Sequence, residues 1–181
     1  ALGVPFVPTS PSLPSYETAL IYPGTCLFEG TNLSEGRGTT TPFRAIGAPW
    51  LAAHPVADQL NQRNLPGVVA RAVQFTPMAS KYAEQLCQGI MLHVLDEQLF
   101  RPVATGLHLL AIIMHQQPQH FQFLPYPTSD SFAGYGHFDR LIGQGWLREA
   151  LEQNDGRADA IAQWTAVGEW ATRVEPYLLY Q

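Results

Sequence analysis

Between Glu29 and Arg37 the chain gathers groups able to grip a polar molecule: Glu29, Thr31, Asn32, Ser34, Glu35 and Arg37 fall in one run, with Gly30, Gly36 and Gly38 among them. Carboxylates accept from hydroxyls, an Asn amide both donates and accepts, and a guanidinium offers a rigid fork to an anion. Glycine lets the backbone turn at positive φ or approach a ligand closely. A solvated turn with the same composition is the alternative reading. Further along, Ser80 and Lys81 form a second polar pair beside a strand end, and Lys81 is the only lysine in the chain.

Spacing excludes several chemistries. A phosphate loop needs G-x-x-x-x-G-K-[ST], but five residues separate Gly30 from Gly36 and Arg37 stands where lysine should be. The dinucleotide pattern G-x-G-x-x-G fails because three threonines follow Gly38. No H-x-x-x-H or H-E-x-x-H occurs. His108 and His115, two helical turns apart, are separated by about 10 Å and cannot share a zinc ion from one straight helix. No metal or cofactor is expected. There is no G-x-S-x-G, and Ser80 lacks the S-x-x-K spacing of a serine–lysine hydrolase.

Glu29 and Glu35 bear on glycoside hydrolysis, which uses two carboxylates about 5–5.5 Å apart for retention or about 6.5–9.5 Å for inversion. On a strand these two would stand about 20 Å apart, and on a helix about 9 Å apart along the axis. They can meet only if Gly30 to Ser34 folds back. Otherwise they are separate recognition groups, or one pairs with a carboxylate outside the chain, as in a domain that completes a cleft.

The elements that must position these residues read as α+β: a small mixed or antiparallel sheet packed by helices, entered by an irregular proline-rich strap. The strap covers residues 1–15 and a single domain covers 16–181. Pro5, Pro8, Pro11 and Pro14 hold the strap extended, with Leu2, Phe6, Val7 and Leu13 available to pack on a body. Helices are expected at Ser15–Tyr22, stopped by Pro23-Gly24, and at Pro55–Gln62, Pro102–Gln116, Phe138–Ile142 and Trp146–Glu152. A long amphipathic helix is expected over Asp159–Val174. Strands are expected at Thr25–Phe28, Val68–Phe75 and Gly89–Leu95. Pro42–Ile46 reads as a helical turn and Phe121–Pro127 as extended. Thr76–Gln88 fits either a helix or a long hairpin connection.

With 181 residues the chain can bury a real core, and its net charge of −5 argues against nucleic acid or an anionic membrane as partner. No apolar run reaches transmembrane length. Cys26 and Cys87 give no disulfide framework. The proline-rich opening without a leader points to a piece of a longer chain whose upstream portion would hold any targeting signal.

The run Tyr22-Pro-Gly-Thr-Cys-Leu-Phe-Glu-Gly-Thr-Asn-Leu-Ser-Glu-Gly-Arg-Gly-Thr-Thr-Thr-Pro-Phe43, followed by Ile46-Gly-Ala-Pro-Trp50, resembles the signature of the bacterial exo-β-N-acetylmuramidase family of NamZ type. Phe75-Thr-Pro-Met-Ala-Ser-Lys81, Phe100-Arg-Pro102, Phe138-Asp-Arg-Leu141 and Pro176-Tyr-Leu-Leu-Tyr180 resemble later family blocks in the same order. The opening Pro8-Thr-Ser-Pro-Ser-Leu-Pro14 is similar to the family's entry segment. The resemblance implies secreted or periplasmic glycoside hydrolases that release terminal N-acetylmuramic acid from the non-reducing end of peptidoglycan fragments, in cell-wall turnover and recycling. It implies two units, an upstream Rossmann-like domain and a downstream auxiliary domain, with the active cleft between them. This chain matches the downstream unit, and the family's glutamate pair lies upstream. The isolated chain is therefore expected to be inactive. Glu29 is the one catalytic candidate here; Thr31, Asn32, Glu35, Arg37, Ser80 and Lys81 are candidate contacts to muramic-acid saccharides. On this reading Arg37 clamps the lactyl carboxylate bidentately, Asn32 binds the acetamido group or a hydroxyl, and Trp50 offers an apolar face. A stand-alone, non-catalytic carbohydrate-binding or interaction module is the alternative.

Overall fold

A computed structural model describes residues 5–126, 136–153 and 157–178. Leu2, Pro127 and the end of the Pro176–Tyr180 block lie outside these residues. The chain opens without regular structure and then forms α1 (Tyr16–Thr25), a 3₁₀ turn (Cys26–Gly30), β1 (Ala45–Ala48), α2 (Ala53–Gln62), β2 (Val68–Phe75), β3 (Cys87–Val94) and α3 (Pro102–Gln116). Four short helices follow: α4 (His137–Ile142), α5 (Trp146–Gln153), α6 (Ala158–Trp164) and α7 (Trp170–Val174), with a last 3₁₀ turn at Glu175–Tyr177. The fold is α+β as expected. Its sheet is antiparallel throughout in the order β1-β3-β2, with Ile46 opposite Ile90 and Ala70 opposite Leu92.

Ile90 and Leu92 of β3 join Ile46, Val56, Leu60, Leu107 and Leu110 in one core with Ile21, Leu27 and Phe28. α3 is apolar nearly all round, and its central residues Thr105 to Ile113 are all buried. That is the pattern of a helix enclosed on every side. α1 crosses it through glycine. A Cβ on Gly106 would lie 2.3 Å from the Gly24 carbonyl oxygen, and one on Gly24 would lie 1.9 Å from the Pro102 carbonyl oxygen. Gly106→Ala is expected to cost about 2 kcal/mol by forcing the two helices apart, although alanine is the better helix former. A thermal midpoint equal to or above the parent's would show that the helices had room.

That crossing corrects one expectation. Ser15 caps α1 by accepting from the Thr18 amide, but the helix continues through Pro23 to Thr25. Pro23 projects to solvent, and the contact of Gly24 with α3 holds the last turn against its propensity. Thr25–Phe28 is not a strand. Thr25 closes α1, and Cys26 to Phe28 belong to the 3₁₀ turn that continues from it, with Leu27 and Phe28 both buried. Pro42–Ile46 is not a helical turn either. Phe43 sits at φ 60°, donates its amide to the Glu35 carbonyl, and leads into β1.

Residues 76–86 are the hairpin connection rather than a helix, with Ser80, Tyr82 and Glu84 all at positive φ. The long C-terminal helix is two short ones separated at Gly168, φ 50°. Only Ile161 of α6 is buried, and no residue of α7 is. The apolar stripe thus meets the core at Ile161 and Trp164 and has none to lie on along α7.

Candidate polar site on the glycine-rich loop

The 3₁₀ turn aims Glu29 outward, and the chain then folds back. Ser34 exchanges backbone hydrogen bonds with Gly47 of β1, and Thr31 bridges to Phe123. Gly36 and Gly38 lie at φ 76° and 78°, a conformation disfavoured for residues with a Cβ. The reversal brings both glutamates onto one guanidinium. Arg37 Nη2 stands 2.9 Å from Glu29 Oε2, and Nε stands 3.1 Å from Glu35 Oε1. Its Nη1 donates to the Ser12 hydroxyl at 2.8 Å, and its plane lies over the Phe43 ring at 4.8 Å.

The hairpin connection supplies the second cation. Gly38 is zipped to it: the Met78 amide donates to the Gly38 carbonyl, and a Cβ on Gly38 would meet the Ala79 nitrogen at 2.4 Å. Ser80 and Tyr82, on either side of Lys81, lie at φ 70° and 57°. Lys81 Nζ donates to the carbonyls of Phe28 and Leu33 at 3.0 and 2.8 Å and to Glu35 Oε2 at 3.0 Å, with the Glu29 carbonyl at 3.3 Å. Burial pushes its ammonium below the ordinary lysine value, and the Glu35 carboxylate pulls it back up. The Glu35 side chain is 3% exposed and carries a cation on each oxygen. A carboxylate buried so deeply requires that pairing.

Neighbours complete the wall. α4 is seated on the 3₁₀ turn, where a Cβ on Gly30 would meet the Phe138 nitrogen at 2.4 Å. This places His137 beside Glu29. Burial lowers the imidazole pKa, against the opposing pull of Glu29, so the ring is neutral near pH 7. Tyr82 donates to the Asn32 carbonyl at 2.8 Å and accepts from Trp50 Nε1 at 3.1 Å. Trp50 stacks on His120 with centroids 5.7 Å apart. The Cys26 thiol is pushed up to about 11 by burial and then by Glu29; Cys26 and Cys87 are separate thiols.

The arrangement revises several roles. Glu29 and Glu35 converge, yet they clasp Arg37 between them instead of facing a shared bond. Arg37 offers no free fork: two of its three nitrogens are held by glutamates, and only Nη1, on a serine of the strap, faces an exchangeable partner. The Thr31 hydroxyl donates to the Phe28 carbonyl and is fully buried, so it is turned away from any ligand. The Asn32 amide donates to the His120 carbonyl at 2.7 Å and accepts from the Gln122 amide at 2.9 Å, which makes it a clamp on that segment. Ser80 is exposed, while Lys81 points inward. Sequence reading missed Ser12, His137 and Tyr82. No local pattern marks them, because each reaches the site only through tertiary contact. Among the described residues no three His, Cys, Asp or Glu side chains gather as a metal set, and no helix is long and apolar enough to cross a membrane.

Residues 20–180 match the family model described as "Exo-beta-N-acetylmuramidase NamZ, C-terminal". A curated relative from Bacillus subtilis (strain 168), the peptidoglycan β-N-acetylmuramidase NamZ, is 39% identical over 98% of this chain and 41% of its own length. Two crystal structures of DUF1343 family proteins from Bacteroides fragilis are similar. One has a TM-score of 0.81 at 24% identity over 99% of this chain and 46% of its own. The other has 0.62 at 28% identity over 96% of this chain and 44% of its own. The chain thus spans less than half the length of each of these proteins.

Proposed function

The chain belongs to the C-terminal domain family of the exo-β-N-acetylmuramidases of NamZ type, and from that membership we propose that it forms one wall of a muramic-acid-binding cleft in a two-part glycoside hydrolase. The observation that carries the proposal is the Glu29–Arg37–Glu35–Lys81 network, set on the stretch that carries the family signature. Glu35, itself held by Lys81, fixes the guanidinium from behind, and Arg37 remains 34% exposed in front.

A muramic acid residue offers hydroxyls, an acetamido group and a lactyl carboxylate. Its carboxylate or a hydroxyl replaces Ser12 at Arg37 Nη1, a charge-assisted contact when the group is anionic. Glu29, already oriented by Arg37, accepts from a sugar hydroxyl. Its carboxylate is engaged by that cation, so it acts as a recognition group, and the acid and base of hydrolysis come from the preceding unit. That unit is Rossmann-like on this reading. The whole enzyme acts outside the cytoplasm, in cell-wall turnover.

In the full-length protein, Arg37→Ala and Glu29→Gln are each expected to lower kcat/KM on a chromogenic β-N-acetylmuramide about tenfold to a hundredfold. The isolated chain is expected to turn over none. Unchanged kinetics in both variants would make the loop purely structural, and turnover by the chain alone would move catalysis back to Glu29. Tight saccharide binding by the isolated chain would favour a stand-alone binding module.

A further inference from the structure

A second concave feature lies away from the polar network, at the other end of α4. It is a pocket of about 680 Å³ enclosed by α3, α5 and α6, and Leu107, His108, Ile142, Leu147 and Trp164 are among its lining residues. Its walls are mainly apolar. His108 lies in the floor and is itself buried; burial first, and then the Arg63 charge, lower its pKa to about 4, so the floor carries no charge near neutrality.

The rim is unusual for a finished surface. Trp146 meets Trp164 edge to face at 6.0 Å and is still 50% exposed. Val167 on the same rim is 72% exposed; Trp170 of α7 is 59% and Tyr177 80% exposed. A five-residue helix without a buried side chain is not held by its own propensity. The Trp170 amide donates to the carbonyl of the rim residue Val167 at 3.0 Å, so exposed tryptophans stand at and just beyond the mouth of an apolar pocket, the composition of an interface centre.

We propose that this pocket, with Trp146, Val167 and the α7 segment around it, is the surface on which the preceding half of the longer protein docks, an apolar side chain of that half filling the pocket. The inference rests on the two-part reading above. Two observations select that occupant. More than half the length of each similar protein lies outside the matched region. The strap also leads to this side. Phe6 packs edge-on against Tyr16, whose hydroxyl donates to Glu97 at 2.9 Å, and four residues beyond Glu97 the chain reaches Arg101 on the pocket rim. Leu95 and Leu99 stand exposed along the same turn.

Trp170→Ser and Val167→Asp test the surface in two contexts. In the isolated chain both variants are expected to leave the thermal midpoint within about 1 °C of the parent, because neither residue is packed. In the full-length protein each is expected to lower it by about 5 °C and to separate one transition into two. An unchanged full-length midpoint would overturn the proposal. So would an isolated chain that runs as a dimer and is made monomeric by either variant, since the occupant would then be a second copy. Failure of the sugar-binding reading would appear in the Arg37→Ala kinetics and leave these midpoints unaffected.

Discussion

Lys81→Met is expected to cost the isolated chain about 3 kcal/mol, read from urea unfolding with an unchanged m-value. The loss has two parts. The Phe28, Leu33 and Glu29 carbonyls each give up their contact with the ammonium, and one oxygen of the buried Glu35 loses its cation. Removing one partner of a buried pair leaves the other charge uncompensated, and this is the expensive way to break it. Arg37 still holds the second oxygen, which sets the estimate at the lower end of the range. Lys81→Arg should recover little of the loss, since a planar fork cannot reach three carbonyls and a carboxylate converging on one point. A cost below about 1 kcal/mol would mean that the cage is solvated and the network does not order the loop.

Acidification should weaken the fold through His108. Its imidazole is held at about 4 in the folded state and has an ordinary value of 6.5, so the unfolded chain binds the proton first. Stability is therefore complete above the unfolded value and falls as pH drops from about 6.5 to about 4. The total from this one group is about 3 kcal/mol, and no further loss comes from it below that window. His93 and His137 are lowered too, and carboxylates titrate at the acid end, so the measurement must be a difference. His108→Leu should make urea stability distinctly less steep between pH 7 and pH 4.5 than in the parent. Parallel slopes in the two proteins would show that the imidazole is protonated without opening the core.

The parts of the fold visible in sequence are those that carry their own signal. β2 carries Val68, Val69, Val73 and Phe75, β-branched and aromatic residues suited to a strand. α3 begins at a proline suited to a first turn and ends before Pro118, and both boundaries match the structure. β1 carries no such signal: Ala-Ile-Gly-Ala becomes a strand only because β3 lies beside it and the Gly47 backbone can press on Gln88. α1 extends past Pro23 because Gly106, far along the chain, receives it. The polar site divides in the same way. Glu29, Glu35 and Arg37 fall in one run and could be seen together. The role of Lys81 depends on a partner 46 residues away, and Ser12 and His137 arrive on other elements. Sequence shows which groups are near one another along the chain, but not which of them are already occupied. That is why Asn32 and Thr31 read as ligand contacts and turn out to hold the loop.

The network that clasps Arg37 has a consequence for how a ligand arrives. Two glutamates, one arginine and one lysine sum to zero, and the whole chain carries a net charge of −5. Such a network projects little field beyond a few ångströms, so on the proposed function it would not steer an anionic sugar fragment through solution. Encounter is left to diffusion. On that proposal the guanidinium would be felt only once a fragment is close enough to exchange with Ser12, and selectivity would be decided by fit at contact rather than by attraction at a distance.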